Sequence, residues 1–313
     1  METKANLSLV SKKKKRGRLT PYLFISPWIF GFFAFTLGPL VFSFVISFYN
    51  WPLVGTPKFI GLQNYMNMFT QDPRFWMAFK VTLKFALLLV PINIALSLML
   101  AMLLNQKVRG LSFYRTIFYL PTVISGVALS MIWTWVLDGE YGILNYFLSL
   151  FGIEGPHWLN DPQWSLLTIV FAGLWGQGAM MLIFLAGLKN IPGDLYEAAR
   201  IDGAGRLAQF RNITIPMLTP TILFNLITSI IGAFQQLTLA LLLTKGGPLE
   251  STYFYAMYVY ENAFKFSKMG YSAANAWFMF VIVLILTLLV FKSSSTWVYY
   301  EAEMKNSKKG GLS

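Results

Sequence analysis

Charge is scarce in this chain of 313 residues, and so are the residues of redox and metal chemistry. Lys, Arg, Asp and Glu make up 12% of it, against about 25% in a typical soluble domain. Hydrophobic residues make up 56%, and mean hydropathy is +0.56. That balance excludes an ordinary soluble globule. There is no cysteine, which excludes disulfides and thiolate metal sites and leaves the redox compartment open. The single histidine, His157, lies among turn formers in GIEGPHWLNDP and reads as a loop residue. No G-x-x-x-x-G-K-[ST] phosphate loop occurs. TKGGPLEST, residues 244–252, is glycine-rich but lacks the Gly-Lys-Ser/Thr ending. No G-x-S-x-G, H-E-x-x-H or paired-carboxylate pattern stands out. The chain is therefore expected to be no enzyme and to bind no cofactor or metal itself. If it pumps, the energy comes from a partner.

What is present is apolar length. A membrane span needs about 20 apolar residues. Six segments qualify, at 21–48, 77–104, 115–136, 164–188, 218–243 and 273–292. The first follows the basic run KKKKRGR and is too long for a signal peptide's apolar region, so it reads as an uncleaved span. The basic run is a topology signal, and no nucleic-acid partner is expected. Lys and Arg then orient the chain. Seven lie in the N-terminal tail, three in the second loop, four in the fourth loop and four at the C-terminal end, which places 18 of the 25 on one side. The loop from Leu137 to Gln163 has none. Both termini are accordingly expected in the cytoplasm. The chain divides into a basic tail (1–20), a first span with its external loop (21–76), a core of five spans (77–293) and a C-terminal tail (294–313).

The span interiors hold no carboxylate. Lys80, Lys84 and Arg115 lie near span ends, where long side chains reach the interface. This argues against proton-coupled transport, although a sodium site built from carbonyls would leave no such trace. Neutral amides do occur in the spans: Asn93, Gln177, Asn225, Gln235, Gln236 and Asn275. Helix association alone uses such groups. Beside aromatic residues such as Trp133, Trp135, Trp175 and Trp277 they also suit a neutral, hydroxyl-rich ligand. Gln177, Gln236, Trp175 and Asn275 are the candidate pathway residues.

One loop is too elaborate for a connector: IPGDLYEAARIDGAGRLAQFRNITIPMLTP, residues 191–220. Asp194 with Glu197 three residues on has capping-box spacing. Ala198 and Ala199 favour helix with almost no bulk. Gly203 and Gly205 permit a sharp turn. A second short helix is expected from Leu207 to Asn212, before Pro216 leads into the fifth span. Such a segment reads either as a docking surface or as an interfacial amphipathic helix.

Glu197-Ala198-Ala199, then Gly203, then Ile213-Thr214-Ile215-Pro216 resembles the E-A-A signature loop of permease subunits of binding-protein-dependent ABC importers, with Ile215 where Leu is usual. FIGLQNYMNMFTQDPRFWMAF (59–79), FYRTIFYLPTVIS (113–125), LLTKGGPLEST (242–252) and YENAFKFSKMGYSAA (260–274) resemble its carbohydrate-uptake branch, which includes maltose, lactose and glycerol-phosphate permeases. The likeness is to the first, maltose-type subunit without its extra N-terminal spans or large external insertion. Leu237-Thr238 stands where the family often has Phe-Asp. The resemblance implies an all-α, six-span type I importer permease in the cell membrane, embedded in membrane lipid and moving a di- or oligosaccharide. It implies a second permease subunit, an ABC ATPase dimer carrying ATP and Mg, and an extracytoplasmic sugar-binding protein. Residues 191–216 become the coupling loop, with Glu197, Ala198, Ala199, Gly203, Ile213 and Pro216 as its marks. Gln236 falls at a sugar-contacting amide of the maltose-type subunit. An ion-coupled or facilitative carrier acting without an ATPase is the alternative.

Overall fold

The computed structural model describes residues 22–106 and 109–299. The N- and C-terminal tails inferred from sequence lie almost wholly outside the described residues. The chain forms two compact units.

The first unit contains the described residues up to Asn67 together with Asn262–Trp277. Its helix α1 spans Tyr22–Ile46, with a π turn at Phe33–Leu37. The turn has a local cause. Pro39 follows it, and a proline ring collides with the carbonyl four residues back in an α-helix. Widening the preceding turn relieves that contact, and Gly38 N–H bonds Phe33 O across it. A short antiparallel pair follows, β1 (Tyr49–Asn50) and β2 (Lys58–Phe59), with Tyr49 opposite Phe59. Asn64 Nδ2 donates to the Ser47 and Tyr49 carbonyls at 2.8 and 2.9 Å. Trp277 Nε1 donates to Ser43 Oγ at 3.1 Å. The chain continues through α2 (Gln63–Thr70).

The second unit is built on α3, Pro73–Leu104, a 32-residue helix. Asp72 caps it, its carboxylate accepting from the Arg74 and Phe75 amides, and Pro73 takes the first position, where no N–H is needed. After it come α4 (Leu111–Val123) and α5 (Gly126–Val136), bent by 102°, then the short α6 (Ile143–Ser149). Next are α7 (Ser165–Leu174) and α8 (Gly178–Lys189), bent by 50°. Then follow α9 (Gly193–Ile201), α10 (Arg206–Phe234), a π turn at Ala240–Thr244 and α11 (Tyr255–Tyr260). Helix α12 spans Met269–Trp297 and enters this unit at Phe278.

Among the described residues four helices are long and apolar enough to cross a membrane, and up to six spans result if each bent pair is one. The expected third and fourth spans are therefore broken rather than straight. Ser125 starts a fresh helix: its Oγ accepts from the Ala128 amide at 3.3 Å while Ile124 is extended. The fifth span starts earlier than expected. Residues 207–212 are not a separate helix; they form the first turns of α10, continuous through a π turn at Phe210–Thr214. Pro216 explains that turn as Pro39 explains the first, with Ile215 N–H bonding Phe210 O.

Two apolar clusters hold this unit. One gathers Phe85, Leu89 and Val90 of α3 with Ile169, Ala233, Phe234 and Phe254. The other gathers Leu98, Ala101 and Leu104 with Met181, Phe184, Leu188 and Leu218. Early α3 thus meets late α10, and late α3 meets early α10. The two helices pack antiparallel.

Candidate functional site

Two places in the second unit carry chemistry. One is the segment between α8 and α10. Helix α9 begins at Gly193, with Pro192 as its cap residue and no side-chain cap bond. The capping box expected from Asp194 and Glu197 does not form. Asp194 lies inside the first turn, because Pro192, extended at ψ 131°, takes the cap position itself. The Asp194 carboxylate still faces the positive end of the helix dipole. The helix ends as a Schellman motif: Ala204 N–H bonds Ala199 O at 2.8 Å and Gly203 N–H bonds Arg200 O at 3.1 Å. Gly203 has φ +78°, the left-handed conformation that favours glycine. Gly205 is extended and caps α10.

Two bonds fasten α9 and the turn after it to the base of α10: Tyr196 Oη meets Thr214 Oγ1 at 2.9 Å, and Gln209 Nε2 donates to Ala204 O at 2.8 Å. Thr214 is itself buried. Tyr196, Ile213 and Ile215 pack on the cluster that contains Leu98 and Leu218. The opposite face is uncovered. Glu197 and Ala198 are exposed, as are Ile201 (87%) and Leu207 (78%). Ala199 is half-buried. The Tyr196–Thr214 link was missed in the sequence, since an 18-residue separation across a turn leaves no local pattern.

The other place is where the broken spans meet. The α7–α8 break lies against the end of α4. A Cβ on Gly178 would stand 2.6 Å from Phe118 O and Tyr119 Cα, so only glycine admits this approach. Thr122 Oγ1 donates to Gly176 O at 3.3 Å. The α4–α5 break lies against the chain after α10, where a Cβ on Gly126 would stand 3.2 Å from Thr238 Cγ2. A cavity of about 250 Å³ opens beside the α7–α8 break, lined among others by Phe118, Trp133, Phe171, Trp175 and Gln177. Trp133 and Trp175 meet edge to face at 5.4 Å between centroids. Gln177 Nε2 donates to Gly173 O at 2.8 Å. Trp133 Nε1 is buried without a protein acceptor.

Of the candidate pathway residues, the structure brings Gln177 and Trp175 to this cavity. Gln236 does not line it. It sits half-buried after α10, two residues before Thr238. Asn275 belongs to the first unit, is buried, and donates from Nδ2 to Tyr271 O at 2.8 Å. Trp133 is the lining residue that apolar periodicity hides, because an indole mid-helix reads as core.

The loop between α5 and α7 is a built platform. Asn145 Nδ2 donates to Gly139 O at 2.8 Å and to Pro156 O at 3.3 Å, and its Oδ1 accepts from Trp158 Nε1 at 2.6 Å. A Cβ on Gly155 would stand 2.0 Å from Asn145 Oδ1. The backbone amides of Tyr141 and Glu140 bond the Asp138 carboxylate and hold it below the ordinary carboxylate range.

The model of the binding-protein-dependent transport system inner membrane component family matches residues 93–300. The chain belongs to that family. This permease chain is 43% identical to the probable ABC transporter permease protein YesP of Bacillus subtilis (strain 168), over 94% of its own length and 96% of the relative's. It is 36% identical to the lactose transport system permease protein LacF of Rhizobium radiobacter, over 90% and 96%. Among solved structures it matches a chain of the bacterial alginate ABC transporter in complex with an alginate pentasaccharide-bound periplasmic protein, at TM-score 0.79 and 25% identity, over 90% and 96%. The permease is thus a multi-pass membrane protein with the type I importer fold.

Proposed function

We propose that this permease is one half of the membrane channel of an ATP-driven importer for a neutral di- or oligosaccharide. A second permease subunit forms the other half. An ABC ATPase dimer, which holds ATP and Mg, docks on the uncovered face of α9 from the cytoplasm. An extracytoplasmic binding protein delivers the sugar to the opposite side. The observation that carries this is the mechanical join at the α9–α10 corner. A short helix, exposed outward and bonded inward through Tyr196 to Thr214, turns at Gly203 into a membrane-length helix. Force applied to α9 therefore reaches the breaks where Gln236 and Thr238 lie.

The saccharide class is supported by the relatives' transport of lactose and by the alginate-bound neighbour. Neutrality is supported by the breaks themselves. Amides and indoles line or flank them, and no Arg or Lys lines the cavity at the α7–α8 break. The alternative of a self-sufficient carrier gains nothing from either comparison.

The test is reconstitution. The two permeases, the ATPase and the binding protein are placed in liposomes with radiolabelled oligosaccharides. Uptake should require ATP and the ATPase subunit. Uptake by the permeases alone down a gradient, unaffected by ATP, would refute the proposal.

A further inference from the structure

Asn225 lies in the middle of α10 and is fully buried, and neither its Oδ1 nor its Nδ2 has a hydrogen-bond partner in the protein. A bare amide inside a membrane-spanning bundle is costly, because no bulk water can solvate it. Its surroundings are polar. Asn93 Nδ2 donates to Ser229 Oγ at 3.3 Å, and Ser97 Oγ donates to Asn93 Oδ1 at 3.5 Å. Asn93, Ser97 and Ser229 are all buried. Asn93 and Ser97 are four residues apart and share one face of α3; Asn225 and Ser229 share one face of α10 in the same way. Because α3 and α10 run antiparallel, pairing Asn93 with Ser229 sets Ser97 opposite Asn225. The four side chains therefore form a square across the interface, with one corner unpaired.

We propose that this square binds one water molecule, and that the water is the exchangeable link that lets α10 move along α3. A water accepts from Asn225 Nδ2, donates to Asn225 Oδ1 and donates its second proton to Ser97 Oγ. That makes three hydrogen bonds, the usual number for a buried water. A monovalent cation is a worse match. It satisfies Oδ1 alone, leaves Nδ2 bare, and brings a charge that none of the four side chains neutralises. The function of the site rests on the reading that residues 191–216 drive α10. Antiparallel helices joined by direct side-chain bonds must break them to shift. A water changes partners as they pass, so at the Asn225 corner the shift keeps the amide solvated while only the Asn93–Ser229 bond has to be exchanged.

The experiment uses the assembled complex of both permeases and the ATPase. A high-resolution map should show an ordered density within hydrogen-bond distance of Asn225 and Ser97. Asn225→Leu should lower the Tm of the complex and slow ATP-dependent uptake at least about fivefold, the effect of losing the amide's two hydrogen bonds to the water. Adding Ser97→Ala to that variant should cost little more, because both remove the same water. Asn225→Ser keeps a hydroxyl for the water and should fall between parent and Leu. A Tm that rises or stays unchanged in Asn225→Leu overturns the site, since replacing a dry, unpaired amide by an apolar group relieves a penalty. Density that appears only with added sodium or potassium overturns it in favour of an ion. Parent uptake that needs no ATPase defeats the importer reading while leaving the density and Tm results to decide the water.

Discussion

Replacing Gly203 by Val tests the coupling corner directly. Gly203 holds φ +78°, and a Cβ placed there meets nothing within 4 Å. The substitution therefore creates no collision with other residues, and its whole effect is backbone strain. A non-glycine residue in a sparsely allowed region costs on the order of 1–3 kcal/mol, and a β-branched one lies at the upper end. That cost shifts the turn's population by between about fivefold and 150-fold. The strain opens the Schellman bonds from Gly203 and Ala204, so the end of α9 frays and Ile201 loses its place. The Tyr196–Thr214 bond one turn earlier is untouched, and so are the spans. Insertion and pairing with the second permease should survive while uptake falls at least about tenfold and ATP hydrolysis loses its stimulation by the loaded binding protein. Gly203→Asn is the internal control, because Asn tolerates the left-handed region, and it should keep most of the activity. The assay compares uptake, stimulated hydrolysis and ATPase pull-down in proteoliposomes. If Gly203→Val binds the ATPase normally and transports at the parent rate, residues 191–216 are a plain connector.

Gly178→Ala should destabilise the assembled permease by about 1–3 kcal/mol, because the new Cβ would stand 2.6 Å from backbone atoms of Phe118 and Tyr119; an unchanged Tm would show that the α4 contact is loose. Gln236→Ala should weaken uptake partially, by the roughly 0.5–1.5 kcal/mol of one hydrogen bond, with assembly intact; equal uptake across sugar concentrations would remove Gln236 from the pathway. A labelling tag at Glu154, which is exposed, should be reached from outside intact cells, and one at Gly205, where a Cβ meets nothing within 4 Å, should not. Gly155 is unsuitable for such a tag because Asn145 fills its space. A folded carboxyl pKa held down is a contribution present above the unfolded value and lost as pH falls through the folded one. Protection of the Glu140 and Tyr141 amides from hydrogen exchange should therefore persist below pH 3.8 and disappear at lower pH, and loss of protection above 3.8 would contradict the Asp138 turn.

Apolar length and the E-A-A spacing were legible in the sequence because both depend on composition over fixed distances. The bends were not. Hydropathy sums residues without direction, so 115–136 reads as one run although Pro121 and the Ser125 cap divide it. Two aspartates show how local chemistry can point either way. Asp72 precedes Pro73 and is a true cap; Asp194 follows Pro192 and is not, because the proline already holds the extended cap conformation. The early start of α10 was hidden by Pro216, which reads as a boundary until a π turn absorbs it. The cavity escaped detection for a different reason. Trp133 and Trp175 are 42 positions apart, and only folding brings their rings together.

The unbroken run of α10 has a geometric consequence. Twenty-nine residues from Arg206 to Phe234 extend about 43 Å at 1.5 Å per residue. Pivoted at its base, such an arm multiplies angle into distance. A tilt of about 5° at the α9 corner carries the Phe234 end through about 4 Å over that length. That is comparable to the thickness of a sugar ring, so under the proposed coupling a small tilt at the corner would displace the chain at Gln236 by about a ring's thickness.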